Sequence, residues 1–102
     1  MKKILLVCSA GMSTSLLVTK MKEAVKQMGD EIEIQALPTA ECSSVINEVD
    51  IVLLGPQVRF QKPQVEKLSN GTIPVEVIDM RQYGIMDGKG ILESTLDKIK
   101  VK

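Results

Sequence analysis

A thiol, four hydroxyls and a glycine fall within eight residues near the start of the chain: Cys8-Ser9-Ala10-Gly11-Met12-Ser13-Thr14-Ser15. The stretch follows the apolar run Ile4-Leu5-Leu6-Val7 and precedes a helical pattern that begins near Leu16. It therefore reads as the turn between a strand and a helix. Free backbone N–H groups at such a turn, together with the partial positive charge of the helix start, favour a bound anion. The same field favours the ionised form of a cysteine, which is its nucleophilic form. A thiolate inside an anion cradle is equipped to attack phosphorus. Gly11 permits a backbone turn that other residues resist. No carboxylate occurs from Met1 to Lys22, although the first turn of a helix ordinarily attracts Asp or Glu. Cys8 is accordingly the candidate nucleophile, and Ser9, Ala10, Gly11, Met12, Ser13, Thr14 and Ser15 are its candidate phosphate cradle. A small core cysteine at a strand end is the competing reading of Cys8, and the seven residues that follow weigh against it. Cys42 has no such loop and reads as packing.

The elements that must hold this loop follow from hydropathy patterning. Lys3 to Val7 and Ile51-Val52-Leu53-Leu54 are continuous apolar runs, expected of strands buried on both faces. Glu31-Ile32-Glu33-Ile34-Gln35-Ala36 alternates strictly, as an edge strand with one wet face does. Pro74 to Asp79 is a fourth strand with a polar interruption. Leu17, Val18, Met21, Ala24, Val25 and Met28 recur at helical spacing and stop at Gly29, with Ser13, Thr14 and Ser15 offering cap hydroxyls. Thr39 to Val49 reads as a short helix. Pro63 opens a third helix that ends at Asn70-Gly71, and Ile91, Leu92, Leu96 and Ile99 mark the last one. Met80 to Gly88 reads as a loop.

Strands and helices alternating in this way predict an α/β domain of three layers, with a parallel sheet and helices on both faces. The two fully apolar strands belong in the centre and the mixed ones at the edges, which gives the order 2-1-3-4. A crevice then opens at the carboxyl ends of strands one and three, where the chain direction of the connections reverses. Cys8 and Gly55-Pro56-Gln57 both fall there. Arg59 and Phe60, just beyond, read as a surface cation and a core anchor.

Composition narrows the function classes. The 102 residues suffice for one domain with one aliphatic core. Thirteen Lys and Arg cancel thirteen Asp and Glu, so whole-chain charge argues for neither nucleic acid nor an anionic membrane as partner, and 2% aromatic residues remove the stacking platforms expected of a single-strand binder. Without histidine or a Cys-x-x-Cys pair, neither a metal site nor a cofactor is expected. The two cysteines read as free thiols, which fits a reducing, cytoplasmic compartment. Four apolar residues after Lys2-Lys3 are too few for a signal peptide, and no run reaches the length of a membrane span.

The loop resembles that of the low-molecular-weight tyrosine phosphatases, Cys-x5-Arg-Ser, except that Thr14 stands where their arginine would be. That arginine would clamp the phosphoryl oxygens bidentately. Without it the loop is expected to hold a phosphoryl group on sulfur rather than hydrolyse a stable ester. Asp79 or Asp87 are the candidate general acids, although an Asp beside glycine is ordinarily turn chemistry. The whole stretch Cys8 to Ser15 is similar to the phosphorylation loop of the IIB components of the lactose/cellobiose class of the sugar phosphotransferase system. Leu53-Leu54-Gly55-Pro56-Gln57, Pro74 to Asp79, Tyr83-Gly84 and Asp87-Gly88 resemble the same family. The resemblance implies a phosphatase-like phosphate-binding loop (a P-loop) after strand one and one IIB domain over residues 1–102. It implies that Cys8 is the phosphocysteine and Ser9 to Ser15 its cradle. The donor would be a phosphohistidine on a IIA protein, and the acceptor a sugar of cellobiose, chitobiose or lactose type held by the membrane IIC protein. A phosphatase-like hydrolase is the alternative.

Overall fold

Two runs of aliphatic residues meet in the middle of a sheet. Ile4-Leu5-Leu6-Val7 and Ile51-Val52-Leu53-Leu54 are buried throughout, and the most exposed of the eight, Leu53, shows only 3% of its surface. The computed structural model describes residues 2–8, 12–29, 31–71 and 73–100. Its strands are β1 (Lys2–Cys8), β2 (Ile32–Pro38), β3 (Ile51–Leu54) and β4 (Val75–Val77), and its α-helices are α1 (Met12–Met28), α2 (Lys62–Leu68), α3 (Met80–Gly84) and α4 (Gly88–Lys100). All pairings are parallel and the order is β2-β1-β3-β4, as the hydropathy of the strands predicts.

Side chains alternate across the two central strands, so each face of the sheet owns half of the aliphatic run. Ile4, Leu6, Ile51 and Leu53 pack with Leu17, Met21, Ala24 and Val25 of α1 and with Ile91, Leu92 and Leu96 of α4. Leu5, Val7, Val52 and Leu54 pack on the other face with Cys42, Ile46, Val58 and Val65. Helices therefore cover both faces. At the amino end, Asp50 joins the central pair: its backbone N–H donates to Lys3 O at 2.8 Å, and its Oδ2 accepts from Lys3 N at 2.7 Å.

Four local expectations change. α1 begins at Met12 rather than near Leu16, so Ser13, Thr14 and Ser15 lie inside its first turn and not at its cap. Residues 39–48 are two 3-10 helices, Thr39–Ser44 and Ile46–Glu48, in place of one α-helix. From Glu41 to Glu48 the stretch buries fully Cys42 and Ile46 and leaves Glu41, Ser43, Ser44, Asn47 and Glu48 exposed, and the Ser44 hydroxyl donates to the Glu41 carbonyl at 2.9 Å, competing with the helical ladder. A 3-10 helix, Pro56–Gln61, also leads into α2, kinked at Val58. Finally, Met80–Gly84 is helical, not loop. Asp79 caps it by accepting from Gln82 N at 3.1 Å, and Tyr83 anchors it in the core.

Candidate functional site

The carboxyl ends of β1 and β3 form the place to which the sequence points. β1 sends its chain through α1 to β2 on one side, while β3 lies on its other side, so the connections part between these two strands. Val7 is paired with Leu54, and Gly55 N donates to Val7 O at 3.0 Å. Cys8, the last residue of β1, thus stands beside Gly55. α1 begins four positions later, at Met12, and runs for 17 residues with no acidic residue in its first turn. Ser9, Ala10 and Gly11 lie outside the described residues, as do the side chains of Cys8, Met12, Ser13, Thr14 and Ser15. The backbone of Cys8 and of Met12 to Ser15 supplies the two sides of the expected cradle: a strand end and a helix start.

The other wall is built after β3. Gly55 adopts an extended conformation (φ −62°, ψ 150°) and turns the chain into Pro56, which starts the 3-10 helix. Pro56 and Val58 are buried, and the exposed Arg59 folds its guanidinium back so that Nη1 donates to Pro56 O at 3.2 Å. Arg59 is the surface cation expected. Phe60 is not the expected core anchor, because 73% of it is exposed. Pro56 and Val58 already take the inward positions of this short helix, and Phe60 falls on the outer side. A groove of about 250 Å³ separates the 3-10 helix from α3, lined by Pro56, Gln57, Arg59, Met80, Tyr83 and Gly84. Sequence patterning missed α3 as a wall of this groove, since five residues are too few to show a helical period.

The two candidate acids have other work. Asp79 caps α3 as described, and Asp87 Oδ1 accepts from Gly90 N at 3.0 Å in the first turn of α4. Among the described residues no cluster of His, Cys, Asp and Glu is arranged to hold a metal ion, and no helix is long and apolar enough to cross a membrane.

Cys42 is the internal comparison for Cys8. It is fully buried and free, and burial pushes its thiol up from the ordinary range, with a backbone hydrogen bond offsetting part of the rise. A thiol raised in the folded state is ionised first in the unfolded chain. Its contribution to stability is complete below the unfolded pKa, about 8.5, and is lost as pH climbs through the folded value. Urea midpoints at pH 7 and pH 10 should therefore fall further for the native chain than for Cys42→Ala. An equal loss in both would mean that other groups carry the alkaline dependence.

Comparison with known proteins yields consistent matches. Residues 3–94 match the family described as PTS system, Lactose/Cellobiose specific IIB subunit. The chain is 50% identical over 97 residues to the oligo-beta-mannoside-specific EIIB component of Bacillus subtilis, covering 94% of each. It is 43% identical to the cellobiose-specific EIIB component of Lactococcus lactis, covering 89% of this chain and 90% of that one. The solution structure of a cellobiose-specific IIB protein from Borrelia burgdorferi superposes with a TM-score of 0.83 at 37% identity, over 99% of this chain and 94% of that one. A lactose-specific IIB domain from Streptococcus pneumoniae shares the fold at the same TM-score of 0.83, with 15% identity over 94% of this chain and 95% of that one.

Proposed function

The chain belongs to the lactose/cellobiose-specific IIB family of sugar phosphotransferase components, and on that premise we propose that Cys8 is the residue that carries the phosphoryl group. The observation that carries this reading is the placement of Cys8. It ends a buried strand at the switch point of the sheet, four positions before a 17-residue helix whose first turn is free of acid. A helix start of that kind favours both a thiolate and the dianion that replaces it.

The donor is a phosphohistidine on a IIA protein. The Cys8 thiolate attacks phosphorus, the S–P bond forms as the N–P bond breaks, and the electron pair leaves with the imidazole nitrogen, which takes up a proton. Backbone N–H groups and hydroxyls from Ser9 to Ser15 hold the phosphoryl oxygens. A hydroxyl of a sugar bound by the IIC permease then attacks, gives up its proton, and returns the thiolate. The sugar is a saccharide of cellobiose, chitobiose or lactose type. The relatives' names, oligo-beta-mannoside, galactose and cellobiose, support that class. The free, buried thiol of Cys42 fits a cytoplasmic setting.

Carriage rather than hydrolysis is supported by two features. Thr14 stands at the place of the phosphatase arginine, and Asp79 and Asp87 are both engaged as helix caps. The test is incubation with the general relay proteins and a phosphorylated IIA protein, followed by peptide mapping of the label. One label per chain, on the Cys8 peptide and discharged to sugar only in the presence of the permease, is the expected result. Steady turnover of p-nitrophenyl phosphate by the protein alone, lost in Cys8→Ser, would favour a hydrolase instead.

A further inference from the structure

The connection that leaves β3 carries a cation where the loop after β1 has none. We infer that Arg59 serves the transfer step: its guanidinium binds the non-bridging phosphoryl oxygens as the group moves onto and off Cys8. This rests on the reading of Cys8 as the phosphoryl carrier.

Three observations support it. The first is position. Gly55 is the neighbour of Cys8 across the central strand pair, at the roughly 4.8 Å spacing of paired strands. Pro56 is the next residue, and Arg59 folds back along its 3-10 helix until Nη1 reaches the Pro56 carbonyl at 3.2 Å. The guanidinium is thus held against the first residue of the 3-10 helix, two positions after β3 ends, and lines the groove toward α3.

The second is the weakness of the tether. The ion pairs among the described residues are Lys3–Glu33 and Lys98–Glu76, and neither involves Arg59. A neutral carbonyl at 3.2 Å is a long, uncharged acceptor, whereas a phosphoryl dianion offers a bidentate, charge-assisted partner. Arg59 is exposed, so a dianion can reach its guanidinium and compete with the carbonyl.

The third is the surrounding charge. No acidic residue occurs from Ile51 to Val65, just as none occurs from Met1 to Lys22, so both chain segments that flank the crevice are acid-free. In phosphoryl transfer, charge spreads over the three equatorial oxygens, and a planar guanidinium matches two of them. A cation that comes from a neighbouring element and has another resting partner engages the group while it is present and returns to the Pro56 carbonyl once it has left. That is suited to a carrier. In the step itself the bonds change as above: S–P forms, N–P breaks, and the imidazole takes the proton. Arg59 exchanges no proton.

The test has two arms. In the first, the protein alone is alkylated at Cys8 with iodoacetate, an anion, and with iodoacetamide, its neutral counterpart. Peptide mass separates Cys8 from the buried Cys42. The ratio of the two rates should fall several-fold in Arg59→Gln and be largely restored in Arg59→Lys. An unchanged ratio overturns the inference, whatever Cys8 does with phosphate. In the second, phosphoryl uptake from phosphorylated IIA protein is followed at increasing donor concentration. Arg59→Gln should lower the saturated rate by about tenfold, below the roughly 10²–10³ lost with an enclosed oxyanion donor because Arg59 is exposed to water. A loss confined to the half-saturating donor concentration would make Arg59 a docking residue and also overturn the inference. Failure of the carrier reading looks different: label would settle on a residue other than Cys8 in the native chain.

Discussion

Cys8→Ser should stop phosphoryl transfer to sugar, by roughly three orders of magnitude or more, while the protein remains folded. Removal of a nucleophile costs at least this much where it forms the covalent intermediate. The alcohol that replaces the thiol stays protonated at neutral pH, and a helix start that stabilises an anion by about 1 kcal/mol cannot close a gap of several pKa units. Cys42→Ala is the matched control. Its thiol is buried in the core face formed by Leu5, Val7 and Ile46, and burial keeps it protonated, so its removal should leave transfer intact and cost only stability. The measurement is transfer from the relay proteins to sugar, with far-ultraviolet circular dichroism on both variants. Retained transfer in Cys8→Ser, or its loss in Cys42→Ala, would exclude Cys8 as the acceptor.

Gly88→Val should lower unfolding stability by about 3 kcal/mol, at the upper end of what overpacking costs. Gly88 is the buried first residue of α4, and it lies against the middle of α1. A Cβ there would come within 2.8 Å of the Lys20 carbonyl carbon and Cβ and 2.9 Å of Met21 N. Two of those atoms are backbone, so no rotamer change relieves the clash and the two helices must separate. Their separation opens the core face shared by Leu17, Met21, Ile91 and Leu92. For a domain of this size the loss corresponds to a melting temperature lower by roughly 10–20 °C. Gly84→Ala is the contrasting change: a Cβ at Gly84 meets nothing within 4 Å, and alanine in a helix is favoured by up to about 1 kcal/mol. Denaturant midpoints of the two variants should move in opposite directions. Equal midpoints for Gly88→Val and the native chain would mean that α1 and α4 are not held together as described.

Much of this protein is legible because its two central strands are uniformly aliphatic. Ile4 to Val7 and Ile51 to Leu54 have no polar residue to put toward water, so both must lie inside a sheet covered on two sides. Glu33 and Gln35 in β2 can only face solvent, which sends that strand to an edge. Strand order follows, and with it the coincidence of Cys8 and Gly55 at one crevice. Short elements were not legible for the opposite reason. α3 has one buried residue, Tyr83, and from Glu41 to Glu48 the 3-10 helices bury fully Cys42 and Ile46 among exposed polar residues, so neither pattern could show a period.

By itself, the sequence determined the sheet, its order and the position of the thiol at its open end, because burial on one face or two is written in every residue of a strand. The tertiary structure alone decided what surrounds that end. It turned Phe60 outward, engaged Asp79 and Asp87 as caps, and brought Arg59 back to the Pro56 carbonyl. It also pressed Gly88 against α1. These are contacts between residues whose own patterns are neutral, and such contacts depend on how packed elements leave room for one another rather than on the hydropathy of any one segment.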